Sequence, residues 1–323
     1  MRTTMKRILI IIAPIILILM MVACNSDDDL TPSDPEQSDF PQGTSDYDKE
    51  FEDFFKEYGT QVLYKFSEND FRWNVTSYLP FYANEADTAY IRDAWKFIKD
   101  NCLSIWSEDF LKKCLPYHLL LASKIYSNSV QYVTTDASGD YVKDTIQVPK
   151  NAMYGLNHIT FGMVNSQIEH LTTDEKKQLI GDMAFALIGY ATSKGILVIP
   201  DEFKTLHDKY ISHNGESLAY GYGGWGYNGA GCLEYEEDID YYYDFGLYVK
   251  YLVINSKQEF ADKYLNDQFD CGTDSTAIDP QTQQTVYVLD HRVRNKYNIV
   301  VDYFKNTLNI DLQAIGDSIS KIK

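Results

Sequence analysis

Apolar and polar residues alternate along this chain with the periods of both helices and strands. Helical spacing predicts helices over residues 47–58 and from Thr88 to Lys99. Period-two alternation predicts a strand from Gln61 to Phe66, and the apolar, strand-length run from His118 to Ile125 predicts another. The pattern therefore indicates a chain in which both kinds of element occur.

A β-hairpin is predicted next. Val130 to Thr134 and Tyr141 to Val148 flank Asp136-Ala137-Ser138-Gly139-Asp140, whose residue types are those of a turn. A further apolar segment runs from Ala152 to Met163.

The most apolar helix comes after this segment. Thr172-Thr173-Asp174-Glu175 supplies an N-cap and an acidic first turn, and Lys194-Gly195 ends the helix. Between them apolar residues occupy nearly every side, so this helix must be buried. We expect a mixed α+β fold in which it packs on a twisted, mostly antiparallel sheet.

The N-terminus has the plan of a bacterial signal peptide. Arg2, Lys6 and Arg7 precede an apolar run from Ile8 to Val22, which meets Ala23-Cys24. A transmembrane anchor is the alternative, but fifteen apolar residues span about 22 Å as a helix, less than the roughly 30 Å hydrocarbon core. We predict cleavage after residue 23.

Two segments follow the predicted cleavage site. Residues 24–47 are rich in Ser, Asp, Pro, Glu, Gln and Gly, which predicts a disordered tether. Residues 48–323 contain no convincing internal linker and no repeat, so one domain is expected there.

The net charge and the cysteine content indicate which partners and which covalent links are expected. Residues 1–23 hold three of the 29 basic residues and none of the 47 acidic ones, so the remainder carries a formal charge of about −21 and nucleic acid is not an expected partner. Beyond Cys24, the pairs Cys102 with Cys114 and Cys232 with Cys271 are candidate disulfides. Their spacing fits no zinc knuckle or ribbon.

The order of short motifs resembles one protein family. The chain contains FKEYGTQVLYKF ending at Phe66, the hairpin after LPYHLLLAS, the segment from Tyr154 to Phe161, the buried helix followed by Pro200-Asp201-Glu202-Phe203, then Asp244-Phe245-Gly246-Leu247, Asn298-Ile299-Val300-Val301-Asp302-Tyr303-Phe304-Lys305 and Asn309-Ile310-Asp311-Leu312. Together they resemble the substrate import-associated zinc metallohydrolase lipoproteins of Bacteroidetes. The resemblance implies a zincin-like fold and an association with a TonB-dependent importer.

The segment around Cys24 also resembles that of bacterial lipoproteins, which predicts where the protein is located. Met21-Val22-Ala23-Cys24 resembles a lipobox, in which Cys24 receives lipid and becomes the mature N-terminus. The acidic run Asp27-Asp28-Asp29 is similar to the signal that sends Bacteroidetes lipoproteins to the outer leaflet, although it could equally be a plain acidic linker. We expect an outer-membrane lipoprotein that faces the cell exterior.

The family's zinc ligands are missing at the matching positions. In the family the buried helix carries His-Glu-x-x-His, because histidines at i and i+4 share one helical face and the glutamate activates the zinc-bound water. Here the matching stretch, within one residue, is Ala186, Leu187, Ile188, Gly189, Tyr190 and Ala191, and Leu247 stands where the family has its third ligand, a glutamate. The resemblance therefore implies a degenerate zinc site with no metal and no cofactor.

No other residues supply a recognisable replacement. His118, His158, His170, His207, His213 and His291 include no pair three or four residues apart, and the order of Glu169-His170 fits no zincin motif. The acidic run Glu234, Glu236, Glu237, Asp238 and Asp240 lacks the spacing of a calcium loop and is interpreted as a solvated face. Nucleophile-elbow, Walker and dinucleotide motifs are absent, and abundant carboxylates alone do not indicate glycoside hydrolysis.

One aromatic segment could contact a ligand. Tyr220, Tyr222, Trp225 and Tyr227 lie among glycines and have the side chains that stack on sugars or hold extended peptides. The alternative, which we favour, is that they pack on one another to order a long loop. We therefore hypothesise a non-catalytic binding lipoprotein beside an importer. The alternatives are an active hydrolase, using zinc through unrecognised ligands or carboxylates alone, and a separate glycan- or peptide-capturing lipoprotein.

Overall fold

The computed structural model describes residues 40–72, 80–135, 138, 141–211, 226–236, 239–273 and 275–322. The predicted signal peptide, Cys24 and the tether up to residue 39 lie outside this range. Pro41–Lys323 forms one compact unit. Among the described residues no helix is both long and apolar enough to cross a bilayer.

Eight strands are described. They are β1 (Gln61–Leu63), β2 (Phe81–Glu85), β3 (His118–Thr135), β4 (Tyr141–Lys150), β5 (Ala152–Tyr154), β6 (His158–Phe161), β7 (Ser275–Ile278) and β8 (Thr285–Val288). The first six form one sheet, and β7 and β8 form a separate antiparallel pair.

Eleven α-helices are described, and most of the residues in them lie in the second half of the chain. The α-helices are α1 (Asp46–Tyr58), α2 (Glu68–Arg72), α3 (Ile91–Phe97), α4 (Glu108–Cys114), α5 (Thr173–Ser193), α6 (Asp201–Tyr210), α7 (Gly226–Gly229), α8 (Tyr241–Ile254), α9 (Lys257–Tyr264), α10 (Arg292–Thr307) and α11 (Leu312–Ile319). Two 3₁₀ turns, Thr88–Tyr90 and Ser166–His170, and a π-helix, Ile98–Leu103, complete them.

Strand β3 organises the sheet because it is long enough to pair along two separate stretches. Its first residues pair in parallel with β1, where Gln61 lies opposite His118, and in parallel with β6, where His118 lies opposite His158. Its later residues pair antiparallel with β2 and β4, and β5 pairs antiparallel with β6.

The sheet is therefore mixed, and the expectation of a mostly antiparallel sheet is wrong. The β3–β4 hairpin is present as predicted, since its turn is local. The parallel pairs β1–β3 and β3–β6 arise from longer connections, which leave no short turn signal in the sequence.

Helix α5 begins where the sequence predicts. The Thr172 hydroxyl accepts a hydrogen bond from the Glu175 backbone N–H, and the Glu175 carboxylate accepts one from the Thr172 backbone N–H, which forms a capping box. The helix ends near Gly195, whose positive φ of 67° suits glycine. From Leu179 to Thr192 nearly every residue is buried, against β5, β6 and α8.

Candidate functional site

Helices α5 and α8 carry the positions that the sequence analysis compared with zinc ligands, and the two helices pack together. A methyl group added at Gly181 would meet the Ile254 side chain at 2.8 Å, and one added at Gly246 would meet the Phe185 ring at 2.9 Å. Early residues of α5 thus lie beside late residues of α8, so the two helices run antiparallel. Glycines at these contacts allow the helices to approach closely.

The structure shows what two positions of α5 contact, one helical turn apart. Phe185 packs against the apolar cluster that contains Leu247, and its ring centroid lies 5.0 Å from that of Tyr243 in an edge-to-face arrangement. One turn later, Gly189 leaves room for the Tyr154 ring of β5, which an added methyl group would meet at 2.3 Å. Phe185 therefore lies beside Leu247, whereas Gly189 lies against β5.

Phe185 lies within the one-residue uncertainty of the interval predicted from the sequence. The residues matched in that interval include Ala186, Leu187, Ile188, Tyr190 and Ala191, which are all buried. The residues of α5 that contact α8 and β5 are spaced by four, but an almost wholly apolar helix gives no periodic signal that selects one face.

Zinc does not fit these residues. Phe185, Gly189 and Leu247 have no side-chain lone pair that could bind a cation, whereas zinc requires nitrogen, sulfur or oxygen ligands. Leu247 is 1% exposed and belongs to an apolar cluster whose buried members are Tyr210, Ile211, Ala230, Cys232, Ile239 and Leu247. In the part of the chain that the structure describes, no three His, Cys, Asp or Glu side chains are grouped to hold a metal ion.

A buried charge network borders this cluster. Asp244, His207 and Lys296 are each fully buried. The Asp244 Oδ2 atom accepts a hydrogen bond from Lys296 Nζ at 2.6 Å and lies 2.9 Å from His207 Nδ1. His207 Nε2 and Asp244 Oδ1 have no hydrogen-bond partner among the described residues. His207 is thus an internal residue that orders Asp244.

The other histidines do not converge on this site. His158 is buried, with Nε2 2.8 Å from the Phe71 carbonyl oxygen, and His118 lies opposite it in the sheet register. His170 is exposed, and the half-exposed His291 lies 3.6 Å from Asp270. His213 lies outside the described residues.

Tyrosines and carboxylates lie beside the contact between α5 and α8. Burial, reinforced by the negative charges of Glu236, Glu234 and Asp182, raises the pKa of Tyr243 to about 12. Lys250 Nζ lies 2.9 Å from Asp182 Oδ1 and 4.0 Å from Glu234. Lys250 is therefore paired with a carboxylate within the protein.

The aromatic segment predicted from the sequence is only partly described. Tyr220, Tyr222 and Trp225 lie outside the described residues. Tyr227 is half-buried and packs against the Leu247 cluster, with its ring centroid 6.5 Å from that of Tyr235. The described part of this segment thus adjoins the apolar cluster that contains Leu247. Glu237 and Asp238 of the acidic run are also outside the description.

The four cysteines beyond Cys24 are free thiols in the structure, so neither candidate disulfide is formed. Cys102, Cys114 and Cys232 are buried and Cys271 is half-buried. Burial raises the pKa of Cys114 to about 12 and that of Cys232 well above its usual range. These thiols therefore stay protonated at neutral pH.

Comparisons with known proteins give one informative result. No family model matches the chain, and no curated protein matches it. The fold is similar to the crystal structure of a protein from Bacteroides caccae described as "a putative zinc-binding metallo-peptidase", with a TM-score of 0.51 and 13% sequence identity over 86% of this chain and 94% of that chain. At this identity the likeness shows the fold alone, which is a mixed α and β metallopeptidase-like architecture.

Proposed function

We propose that this protein is a non-catalytic binding lipoprotein that uses a metallopeptidase-like fold without a metal site. In this proposal, lipid on Cys24 anchors it to the outer membrane, facing the cell exterior, and it acts beside a TonB-dependent nutrient importer. The fold likeness and the family resemblance of the sequence support the scaffold. The importer association is supported by the family resemblance alone.

The observation that carries the proposal is the packing of Leu247. A third zinc ligand at this place would put a carboxylate into the apolar cluster formed by Leu247, Tyr210, Ile211 and the Phe185 ring. An unpaired charge in such surroundings is strongly disfavoured, so a lost metal must be replaced by side chains that fill the space. Leu247 and Phe185 fill it here.

Metal content provides the test. The purified protein is dialysed against micromolar zinc, then against buffer, and its metal content is measured by elemental analysis. We expect a zinc-to-protein ratio near zero and no cleavage of a casein substrate. The variant Leu247→Glu, which restores one ligand type, should still bind no zinc.

A second candidate function is an active zinc hydrolase with a different ligand set. The buried, unpartnered Nε2 of His207 is the observation that favours it, because a neutral imidazole nitrogen is a common zinc ligand. A zinc ratio near one that is abolished by His207→Ala or His213→Ala would overturn our proposal, and zinc-dependent cleavage of casein would then establish this function. Capture of a peptide or glycan by the aromatic segment is compatible with a metal-free protein.

A further inference from the structure

The antiparallel pair β7–β8 is a hairpin that stands apart from the main sheet. Its residue pairs are Ser275 with Val288, Thr276 with Tyr287, Ala277 with Val286 and Ile278 with Thr285. The base of the hairpin is fixed to the domain, since the Asp290 N–H donates to the Gly272 carbonyl oxygen at 2.8 Å. Every residue of β7 is exposed. Because a two-stranded hairpin is only marginally stable in water, a third strand beside β7 would stabilise it.

The backbone N–H and C=O groups of Thr276 and Ile278 point away from β8. The Asp279 N–H donates to the Gln284 carbonyl oxygen at 2.9 Å, so these two residues form a hydrogen-bonded pair. Such pairs alternate along an antiparallel ladder with pairs whose backbone groups point outward. Ile278 and Thr276, one and three residues before Asp279, are therefore the outward-pointing residues of β7. Their backbone groups have no partner outside the hairpin among the described residues.

The hairpin lacks the features that protect sheet edges from pairing with other chains. Charged residues, prolines and bulges serve this purpose. Strand β4, at an edge of the main sheet, contains Pro149 and three charged residues, and β2 has a bulge between Asn84 and Glu85. Strands β7 and β8 have the sequences STAI and TVYV, with no charge and no proline, and their register is regular. The hairpin is therefore suited to strand addition.

The exposure of apolar side chains favours the edge of β7 over that of β8. Ile278 is 58% exposed, compared with 40% for Val286 and 42% for Val288. A strand added beside β7 would place one of its side chains against Ile278, because neighbouring strands lie about 5 Å apart. Burial of Ile278 would then add to the main-chain hydrogen bonds.

Charge and size indicate which kind of partner fits this edge. The chain beyond residue 23 has a formal charge of about −21, so a second copy approaches against repulsion. A four-residue edge is also too short to bury the roughly 1,200 Å² of a stable interface between folded chains. At the end of β7, N–H groups of Thr282 and Gln281 donate to the Asp279 carboxylate and lower its pKa. These negative charges favour a partner segment with basic residues.

We propose that the edge of β7 binds an extended segment of a partner protein, which adds to the hairpin as a third strand. The segment has a core of uncharged, β-branched residues beside Thr276 and Ile278, and basic residues at its ends. The N–H and C=O groups of Thr276 and Ile278 hold its backbone. The inference rests neither on the proposed loss of zinc nor on lipidation, since this edge shares no residue with the α5–α8 contact or with Cys24.

Titration of the purified full chain with a fluorescein-labelled peptide, KKTVTITVKK, tests the proposal. We expect saturable binding, measured by fluorescence anisotropy. The peptide KKSGSGSGKK has the same charges and a low strand propensity, so it should bind at least about tenfold more weakly. Hydrogen exchange with single-residue resolution should show that bound KKTVTITVKK protects the amides of Thr276 and Ile278 but not that of Thr285.

Two proline variants identify the edge that pairs. Thr276→Pro removes an outward N–H from β7 and should weaken binding about tenfold. Thr285→Pro removes the corresponding outward N–H from β8 and should leave the affinity unchanged. Proline is tolerated where the N–H of an edge strand faces solvent, and circular dichroism melts check that each variant is folded. If either variant loses the hairpin, the exchange measurement on the wild type decides.

Four outcomes contradict the inference. They are the absence of saturable binding of KKTVTITVKK, equal affinity for the two peptides, unchanged affinity of the folded Thr276→Pro variant, and protection of Thr285 in place of Thr276 and Ile278. A dimer in sedimentation velocity that Thr276→Pro abolishes would assign the edge to a second copy and also overturn it. None of these results affects the zinc measurement, so failure of one proposal is distinguishable from failure of the other.

Discussion

At the scale of single residues, Asp244 has a structural role in the interior of the domain. Its carboxylate is fully buried and bonded to Lys296, with His207 beside it. Burying charges is costly, and removing one partner leaves the other without compensation. Leu247, three residues later, packs instead into an apolar cluster. The contacts of Asp244 with Lys296 and His207 account for its burial without a bound metal.

Replacing Asp244 tests that role. Asp244→Asn leaves the Lys296 ammonium buried without a counter-charge, and we expect the free energy of unfolding to fall by about 3 to 5 kcal/mol. Lys296→Met should have a similar effect, and the double variant Asp244→Leu/Lys296→Met should recover part of the loss. Urea unfolding followed by circular dichroism measures all three.

The exposed pair Lys56 and Asp53, at 2.9 Å, is the control. Asp53→Asn should leave the free energy of unfolding almost unchanged, since exposed ion pairs contribute little. If the double variant at Asp244 and Lys296 loses the full sum of the two single losses, the buried residues are not coupled as we argue.

We predict that protonation of His158 makes the stability of the protein depend on pH. Burial lowers the pKa of His158 to about 4. Its Nε2–H donates to the Phe71 carbonyl oxygen, and its Nδ1 accepts from the Thr160 hydroxyl at 3.1 Å. Since the unfolded histidine has a pKa near 6.5, the unfolded state binds more protons between these values. The contribution of neutral His158 to the free energy of unfolding is therefore complete above pH 6.5 and is lost as the pH falls toward 4.

This loss should amount to about 3 kcal/mol. His158→Gln should flatten the decline between about pH 6.5 and 4, measured by urea unfolding at a series of pH values. A smaller decline should remain because burial also lowers the pKa of His118. Thr160→Val is the control, since it removes a hydrogen bond but keeps the imidazole and therefore the decline. Identical pH profiles for wild type and His158→Gln would contradict the argument.

At the scale of elements, the packing of α5 on the sheet depends on the lack of a side chain at Gly189. In a free helix Gly189→Ala would stabilise by about 1 kcal/mol. Here the added methyl group would lie 2.3 Å from the Tyr154 ring. We therefore expect the opposite sign, a destabilisation of about 1 to 3 kcal/mol, because overpacking displaces the ring or the helix.

A second background tests this explanation. In Tyr154→Ala the ring is absent, so adding Gly189→Ala should stabilise the protein, and the sign of the glycine effect should reverse between the two backgrounds. Thermal and urea unfolding of the four proteins complete the cycle. The same effect in both backgrounds would show that Tyr154 is not the obstacle.

The elements also show which parts of the structure the sequence predicts. Helix α5 and the β3–β4 hairpin were predictable, because a capping box, a C-terminal glycine and a polar turn are local signals. The parallel pairing of β3 with β1 and β6 was not, since it depends on contacts between distant segments.

The candidate site also has features that the sequence predicts and features that it does not. Leu247 could be identified from the short motif that contains it, and the structure places it in an apolar cluster as its residue type suggests. Lys296 could not be connected to Asp244, because the two are 52 residues apart and neither stands in a pattern that predicts the other. The contacts of Phe185 with α8 and of Gly189 with Tyr154 could not be predicted, because they join distant segments of the chain.

At the scale of the whole molecule, charge is distributed unevenly between the N-terminal segment and the rest of the chain. Beyond residue 23 the chain carries a formal charge of about −21, which favours solubility and disfavours nucleic acid as a partner. The basic residues Arg2, Lys6 and Arg7 are all in the segment predicted to be removed.

The proposed location at the outer membrane depends on lipidation of Cys24. In cells supplied with labelled palmitate we expect the wild type to incorporate the label, and Cys24→Ala to lose it and to retain residues 1–23, as intact-protein mass spectrometry would show. Cys271→Ala, a cysteine control in the folded domain, should incorporate label normally.

Protease added to intact cells should digest the lipidated protein, since we propose that it faces the exterior. A membrane-bound wild type that keeps residues 1–23 and carries no label would establish a transmembrane anchor instead, and recovery of the mature chain from the cytoplasm would exclude both addresses.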